Sequence, residues 1–380
     1  MSLRLLHTSD VHLGATFKVL GERGRDQSRQ LRETFARVAA LAVAEHVAVV
    51  LIAGDLFDSI AAARAHVGVP AEHLAVLGAA GIRTCVIAGN HDPYTEGSAG
   101  LWHDLARRCP GLTVFTPEQG AVVFSDLDLT VVGRSATRRL STESPLAGLP
   151  VSRTTRYLVA LAHGGVERTD IPAQFAMIGA REIARSGVDY LALGDWHSTL
   201  EVSASGGEAA GVTAWYSGAP EMIDLDEGDS GNVLLVTLDA PGRAQVERRR
   251  VGRRRAARLP LDLAITGGDE AVRRIIRAQA DPDLALVVTL TGLVALDTRV
   301  DAERIREELQ GEFFRLELRD ESHLRPDGIE ASRYPEGTVL GRFVRRMQDE
   351  VARRGEDERA VAEDALAYGV ALLEGREILR

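Results

Sequence analysis

Cysteine is almost missing from this chain: Cys85 and Cys109 are the only two in 380 residues. So few exclude a disulfide-framed scaffold, and no cysteine pair stands at zinc-finger spacing. Cys85 falls in an apolar segment expected to be a buried strand, which makes it a structural thiol. Lysine is scarcer still, with Lys18 alone among the 45 basic residues; a chain-wide preference for arginine reflects genome composition more than recognition. Long apolar runs are absent as well. The most apolar region, Val38 to Ala53, is broken by Glu45 and His46 and ends against Asp55, too short and too charged to span a bilayer. No basic stretch followed by an apolar run opens the chain, so a signal peptide is not expected and a cytoplasmic location is the default. Low-complexity tracts and internal repeats are missing. So are a phosphate-cradling Gly-x-x-x-x-Gly-Lys loop and a Gly-x-Ser-x-Gly elbow. The length itself suggests two or three domains with room for a sizeable core.

What is present is a set of metal-binding side chains, each just past an apolar, β-branched segment. Leu3–Leu6 precedes Asp10-Val11-His12, and Val47–Ala53 precedes Gly54-Asp55. Ile82–Ala88 precedes Gly89-Asn90-His91-Asp92, Tyr157–Ala162 precedes His163-Gly164, and Tyr190–Leu193 precedes Gly194-Asp195-Trp196-His197. Strands that end on one edge of a sheet deliver their last side chains to one place. Carboxylate and amide oxygens suit Mn²⁺, and imidazole suits Mn, Fe or Zn. Two such cations roughly 3.5–4 Å apart clamp a phosphate and activate a water. Any one motif is common by chance; the ordered set is specific, and it points to a phosphoesterase. The remaining histidines, His7, His46, His66, His73, His103 and His323, are expected to be core or helix-face residues with satisfied rings.

These motifs resemble the calcineurin-like metallophosphoesterases, whose general signature is Asp-x-His, Gly-Asp, Gly-Asn-His-Asp/Glu, His and Gly-His-x-His. The stretch Gly54-Asp55-Leu56-Phe57-Asp58 and the later Trp215-Tyr216-Ser217-Gly218-Ala219-Pro220-Glu221 are similar to the SbcD/YhaO-type DNA-repair exonucleases. The resemblance covers about the first two-thirds of the chain strongly and the remainder in outline. It implies an α/β fold, a calcineurin-like four-layer αββα sandwich with a small C-terminal α+β capping domain and a helical tail. It also implies two divalent ions, Mn²⁺ first, with Asp10, His12, Asp55 and His197 on one and Asp55, Asn90, His163 and Asp195 on the other. Asp55 would bridge, since each carboxylate oxygen can reach one ion. His91 is the expected phosphate orienter and general acid. Asp92 is expected to orient His91 through its ring, and Asp58 to support the ligands from behind.

One position departs from the pattern. Asp195 stands where most members carry the first histidine of Gly-His-x-His. Carboxylate favours harder ions such as Mn²⁺ or Mg²⁺, and it adds negative charge beside the second ion. A working site with altered metal choice, a weak second site and a DNA-binding protein that cuts poorly are all compatible with it; the first is favoured because every other ligand is present. Trp196 and Tyr216 either stack on an unpaired base or shape the loop by packing, with packing preferred for Trp196. The cluster Arg248, Arg249, Arg250, Arg253, Arg254, Arg255 and Arg258 either tracks phosphates or lies along a solvated strand edge. The net charge of −10 argues mildly against nucleic acid, although ligand carboxylates count toward it and bound cations cancel them.

The pattern divides the chain at residues 1–255, 256–325 and 326–380. In the first segment Ser28–His46 is an amphipathic helix with Leu31, Phe35, Val38 and Leu41 on one face. A second helix runs from His66 to Ala80, interrupted or restarted at Pro70. Strands follow at Ala214–Tyr216, Val233–Leu238 and Ala244–Val251. In the second segment Leu259–Thr266, Leu284–Leu293 and Phe314–Leu318 read as strands, Asp269–Ala280 and Val300–Leu309 as helices. Gly337–Arg354 and Glu356–Glu374 form a last helical pair, which either packs on its own cap or docks on an SMC-like ATPase of the SbcC/YhaN type. The leading expectation is a Mn²⁺-dependent DNA exonuclease or endonuclease working with such an ATPase, with a homodimer implied by the resemblance and no membrane partner. The alternatives are a small-molecule phosphodiesterase or phosphatase, and a nuclease-impaired DNA-binding scaffold.

Overall fold

A computed structural model of the chain describes residues 2–139, 143–149, 152–167, 177–202, 211–225, 228–294, 300–324, 329 and 331–374. The first strands are β1 Leu3–Thr8, β2 Val49–Ala53, β3 Arg83–Ile87 and β4 Leu112–Val114. Next come β5 Ala121–Phe124, β6 Leu129–Gly133, β7 Tyr157–His163, β8 Tyr190–Gly194, β9 Leu200–Glu201 and β10 Thr213–Tyr216. Two long strands close the series, β11 Asn232–Ala240 and β12 Arg243–Arg250.

They form two six-stranded sheets, as the expected αββα sandwich requires. The first has the order β12-β11-β1-β2-β3-β4, the second β5-β6-β7-β8-β10-β9. In the first, β1 to β4 run parallel, and β11 returns antiparallel to β1 with Leu5 opposite Val236. In the second, β6, β7, β8 and β10 are parallel. The donors come from the ends of strands in both sheets of the sandwich: Asp10, Asp55 and Asn90 follow strands of the first sheet, His163 and Asp195 those of the second. Nothing local in a strand's sequence says which sheet it joins, since pairing is decided between distant segments.

Side chains alternate across each strand, and the alternation builds the layers. Leu5 of β1, Leu51 of β2, Val159 and Leu161 of β7 and Ala192 of β8 meet in one core between the sheets. Their neighbours turn outward: Leu6, Val50 and Ile52 pack with Phe35, Val38 and Leu74 from the helices over the first sheet. Leu158, Ala160 and Leu191 pack with Ile183 on the far side of the second. The helices over the first sheet are α1 Arg23–Ala44, α2 Ile60–His66, α3 Gly68–Ala79 and α4 Glu96–Arg108, and α5 Ala180–Arg185 covers the second. The order is helix, sheet, sheet, helix. Truncating a fully buried residue of the central layer such as Leu51 would cost roughly 2–5 kcal/mol. The helix expected over His66–Ala80 is α3, which begins at Gly68 and runs through Pro70 without a break. Ser59 caps α2, its side chain accepting from Ala62 N–H, and Pro70 falls in the first turn of α3, where its missing N–H is not needed.

Contacts divide the chain into residues 1–256 and 257–380. The second unit contains most of β13 Arg255–Asp262, then α6 Leu263–Thr266, α7 Asp269–Arg277 and β14 Asp281–Thr291. It continues with β15 Leu293–Val294, α8 Ala302–Leu309, β16 Phe313–Asp320, β17 His323–Leu324, α9 Val339–Arg353 and α10 Glu356–Leu373. Its main sheet has the order β13-β14-β16. The strand expected over Leu259–Thr266 stops at Asp262, whose carboxylate caps α6 by accepting from Ala264 N–H. The last two helices share the core of this unit: Val344, Leu366, Ala367 and Val370 pack with Val272, Val288 and Ile305.

Candidate metal centre

The donors leave their strands through strained backbone. Six described non-glycine residues have positive φ, and four of them are Asp10 (51°), His12 (49°), Asp55 (50°) and Asp195 (101°). Each such residue costs of order 1–3 kcal/mol, and such strain gathers at functional sites. Glycine supplies the clearance. A Cβ on Gly89 would run into the Asp55 carboxylate, and one on Gly54 into the His163 ring, so the loop of Asp55 can approach the loop of Asn90 and the ring of His163 only with no side chain at either position.

His163 is buried, and its Nδ1 lies 2.9 Å from the Ala53 carbonyl. A carbonyl only accepts, so Nδ1 carries the proton. The neutral ring then aims its Nε2 lone pair at Asn90 Oδ1 (3.3 Å), Asp55 Oδ2 (3.4 Å) and Asp195 Oδ1 (3.8 Å). A lone pair facing three oxygens is repulsive unless a proton or a cation stands among them. The same demand shows in the acid–base balance. Burial pulls His163 down, yet the charges of Asp55, Asp10 and Asp195 carry it well above the ordinary histidine value. The spot that holds a proton so firmly is one that a divalent ion would take.

His12 makes a similar case. Both its ring nitrogens are buried with no hydrogen-bond partner among the described residues. Nε2 stands 3.6 Å from Asp55 Oδ2 and Nδ1 3.6 Å from Asp58 Oδ1. Asp55 Oδ2 thus lies between His12 and His163. Burial works against its ionisation, but His163, then His12 and His91, outweigh that and hold it below the ordinary carboxylate range. Asp195 is pushed up, first by burial and then by Asp10 and Asp55, against the pull of His163. Among the described residues, donor atoms fall into three overlapping groups, each within 4.8 Å: Asp10, His12 and His197; Asp10, Asp55 and His163; His12, Asp58 and His91. Orphaned imidazole nitrogens, crowded carboxylates and one amide oxygen fit divalent transition ions.

His91 reaches the edge of this cluster. Its backbone N–H donates to Asp55 Oδ1 (2.9 Å), and its Nδ1 donates to the Asp58 carbonyl (3.1 Å). That bond leaves Nε2 as the atom that gains or loses a proton. The ring meets His12 edge-on at 4.8 Å. Asp92 does not orient this ring as the sequence suggested. Its two oxygens accept from Gly89 N–H (2.8 Å) and Phe57 N–H (2.9 Å), because the turn at Asn90 points the carboxylate inward beneath the loop. Burial, then the charge of Asp55, pushes the Asp92 carboxyl up to about 7, against those two hydrogen bonds.

Two supports were not read from sequence. Ser9 donates to Asp10 Oδ2 and meets the Ser217 hydroxyl at 2.9 Å, so the Tyr216–Glu221 stretch reaches the centre through a serine pair. Glu221 is fully buried and accepts from the backbone N–H of Arg253 (2.9 Å) and Arg254 (2.8 Å) and from the Thr34 hydroxyl (2.6 Å). A hydroxyl pair has no spacing signal; the isolated Glu after Ala-Pro is the only trace of the second. Tyr216 is buried, its hydroxyl donating to the Gly164 carbonyl (2.8 Å), whereas Trp196 is 42% exposed and is not a packing residue. The first three arginines of the cluster are tied into the first unit. Arg248 pairs with Asp229 (2.8 Å) and stacks over Trp215, Arg249 pairs with Glu45 (3.3 Å), and Arg250 donates to the Ser230 and Arg254 carbonyls. The first three lie on the edge strand β12, where charge discourages further strand pairing.

Two facing sheets whose strand ends gather carboxylates, imidazoles and an amide define a metal-dependent hydrolase of phosphoester bonds. The family model for calcineurin-like phosphoesterases matches residues 3–199, and the chain belongs to that family. Among curated relatives it is similar to the DNA double-strand break repair protein Mre11 of Haloferax volcanii, 30% identical over 302 residues, which are 76% of this chain and 61% of that protein. The uncharacterized metallophosphoesterase YhaO of Bacillus subtilis is 27% identical over 243 residues, 61% of this chain and 57% of that one. The Mre11 protein of Aeropyrum pernix is 28% identical over 291 residues, 72% and 67% respectively. The chain thus spans roughly six-tenths to two-thirds of the length of these relatives.

Proposed function

We propose that this chain is a two-metal phosphodiesterase that hydrolyses DNA with Mn²⁺, as the nuclease subunit of a complex with an SMC-like ATPase. The observation that carries the two-metal part is the place of Asp55, one oxygen between His12 and His163, with donor groups on either side. Asp10, His12, Asp55 and His197 would hold one ion, Asp55, Asn90, His163 and Asp195 the other. When bound, the ions polarise the phosphoryl oxygens and supply a water nucleophile at neutral pH. His91 holds a proton at Nε2 and delivers it to the departing oxygen, with the Asp58 carbonyl fixing the ring. Asp58 also faces His12, and Asp92 locks the two loops behind them.

The names of the Mre11 relatives and the buried Tyr216–Glu221 stretch support DNA as the substrate over a small ester. For the second unit we propose a capping role over substrate, and for α9 and α10 docking on the ATPase. Val339, Val361 and Leu372 stay exposed on those helices while Leu366 and Val370 are buried, which supports a surface that a partner covers. The test is Mn²⁺-dependent degradation of end-labelled linear duplex DNA, with His91→Ala as control and bis(p-nitrophenyl) phosphate alongside. Degradation lost in the variant is expected. Hydrolysis of the small ester alone would overturn the DNA reading, and no His91-dependent turnover of either would overturn the assignment of a working centre.

A further inference from the structure

Beside the donors Asn90, His163 and Asp195 opens a cavity of about 200 Å³ whose other wall carries Arg134, Arg138 and Arg139. That is smaller than the roughly 300–1,000 Å³ of a drug-sized ligand site, and fits one phosphate with its sugar. The arginines leave the end of β6, which runs parallel to β7 with Gly133 opposite Leu161, so they emerge on the edge where His163 does. The base of their loop is bolted to the loop of Asn90. Ala136 N–H donates to the Ala88 carbonyl (3.0 Å), Tyr94 N–H to the Ala136 carbonyl (2.7 Å), and Ala88 N–H to the Ser135 hydroxyl (2.8 Å). Arg134 is held against the chain by the Ala147 carbonyl (2.6 Å). Arg138 and Arg139 are exposed and make no ion pair among the described residues, with Glu143 the one acidic side chain besides Asp195 on the cavity wall.

Three arginines within six residues, in a chain of net charge −10, mark a local reversal of sign beside the metal donors. Guanidinium groups bind phosphate as a two-pronged fork. We propose that this cavity is a subsite for a second phosphate of the substrate, the nucleic-acid backbone phosphate next to the one being hydrolysed, held by Arg138 and Arg139. The proposal rests on the reading of the centre as a phosphodiesterase of DNA and adds how the strand is registered on it. Arg134, already engaged by Ala147, shapes the wall and contributes charge.

The experiment is calorimetric binding to the Mn²⁺-loaded full chain of thymidine 3′,5′-bisphosphate, thymidine 5′-monophosphate and thymidine 5′-diphosphate. The bisphosphate, with its phosphates one sugar apart, is expected to bind about tenfold tighter than the monophosphate. In Arg138→Gln/Arg139→Gln that advantage disappears while monophosphate affinity moves less than twofold, and Arg138→Lys/Arg139→Lys restores part of it. No preference for the bisphosphate in the wild type, or a preference that survives the glutamine pair, overturns the subsite. Tighter binding of the diphosphate overturns a backbone phosphate as its occupant and assigns the cavity to a pyrophosphate-linked ligand. Because no DNA is hydrolysed in this experiment, a wild type that fails to degrade DNA defeats the substrate reading separately.

Discussion

The Asp92 carboxylate accepts a hydrogen bond from Phe57 N–H at 2.9 Å, and so ties the loop of Asn90 and His91 to the loop of Asp55. With its other oxygen on Gly89 N–H, it serves both loops from beneath without facing the cavity. Asp92→Ala should therefore lower metal affinity by about 10–100-fold, the usual cost of losing a ligand's support. Metal titration followed by atomic absorption checks this. Affinity equal to wild type would show that the loops keep their places without the tie.

The tautomer fixed by Asp58 makes a separable prediction for His91. In His91→Gln, turnover of DNA, whose alkoxide leaving group needs a proton, should fall about 10²–10⁴-fold. Bis(p-nitrophenyl) phosphate should suffer far less, because p-nitrophenolate departs without help. Metal content should match the wild type. An equal loss on both substrates together with loss of a metal would make His91 a ligand.

Asp195 sets the character of the second site. Wild-type protein is expected to take up two Mn²⁺ per chain, and Asp195→His to shift preference toward Zn²⁺, with activity in Mn²⁺ within about tenfold of wild type. Competition between the two metals, read by elemental analysis, is the measurement. A sharp gain of second-metal occupancy and activity in the variant would mean that the natural site is weak.

His7 predicts an acid sensitivity unconnected with metals. It is fully buried between the sheets, its Nδ1 2.8 Å from the Tyr190 hydroxyl, and burial lowers its pKa to about 3, against a backbone hydrogen bond. The unfolded chain protonates near 6.5, so between about pH 3 and 6.5 it binds the extra proton and the native state does not. Stability then falls as pH falls, by about 2 kcal/mol between pH 7 and 5. His7→Gln should remove that share of the loss; urea titrations of both proteins at the two pH values compare them. Identical pH dependence would show that His7 is charged in the folded state.

Much of the centre was legible because metal-ligand chemistry restricts residue types. Asp10, His12, Asp55, Asn90, His163, Asp195 and His197 are found together because each follows a strand whose apolar alternation is written locally. What was not legible depends on contacts between distant segments. Which of the two sheets each strand joins, the inward turn of Asp92, and the serine pair of Ser9 and Ser217 leave no periodic trace. Exposure of Trp196 is equally hidden, since an aromatic between two ligands reads the same whether it faces the core or the solvent. The helix ends were readable where a cap marks them, as at Asp301, whose carboxylate accepts from Arg304 N–H.

The pairing of β1 with β11 reaches beyond the last donor. Every proposed metal donor has been synthesised once His197 is made, yet Asp10 follows a strand whose second neighbour spans Asn232–Ala240. A nascent chain halted just after His197 would carry all these donors, with the flank of β1 in the first sheet open. Pairings so distant in sequence are slow to form, so the competence to bind metal should arrive late in synthesis. A gene fragment cut at the end of the recognisable motifs should yield an aggregating product rather than a minimal enzyme.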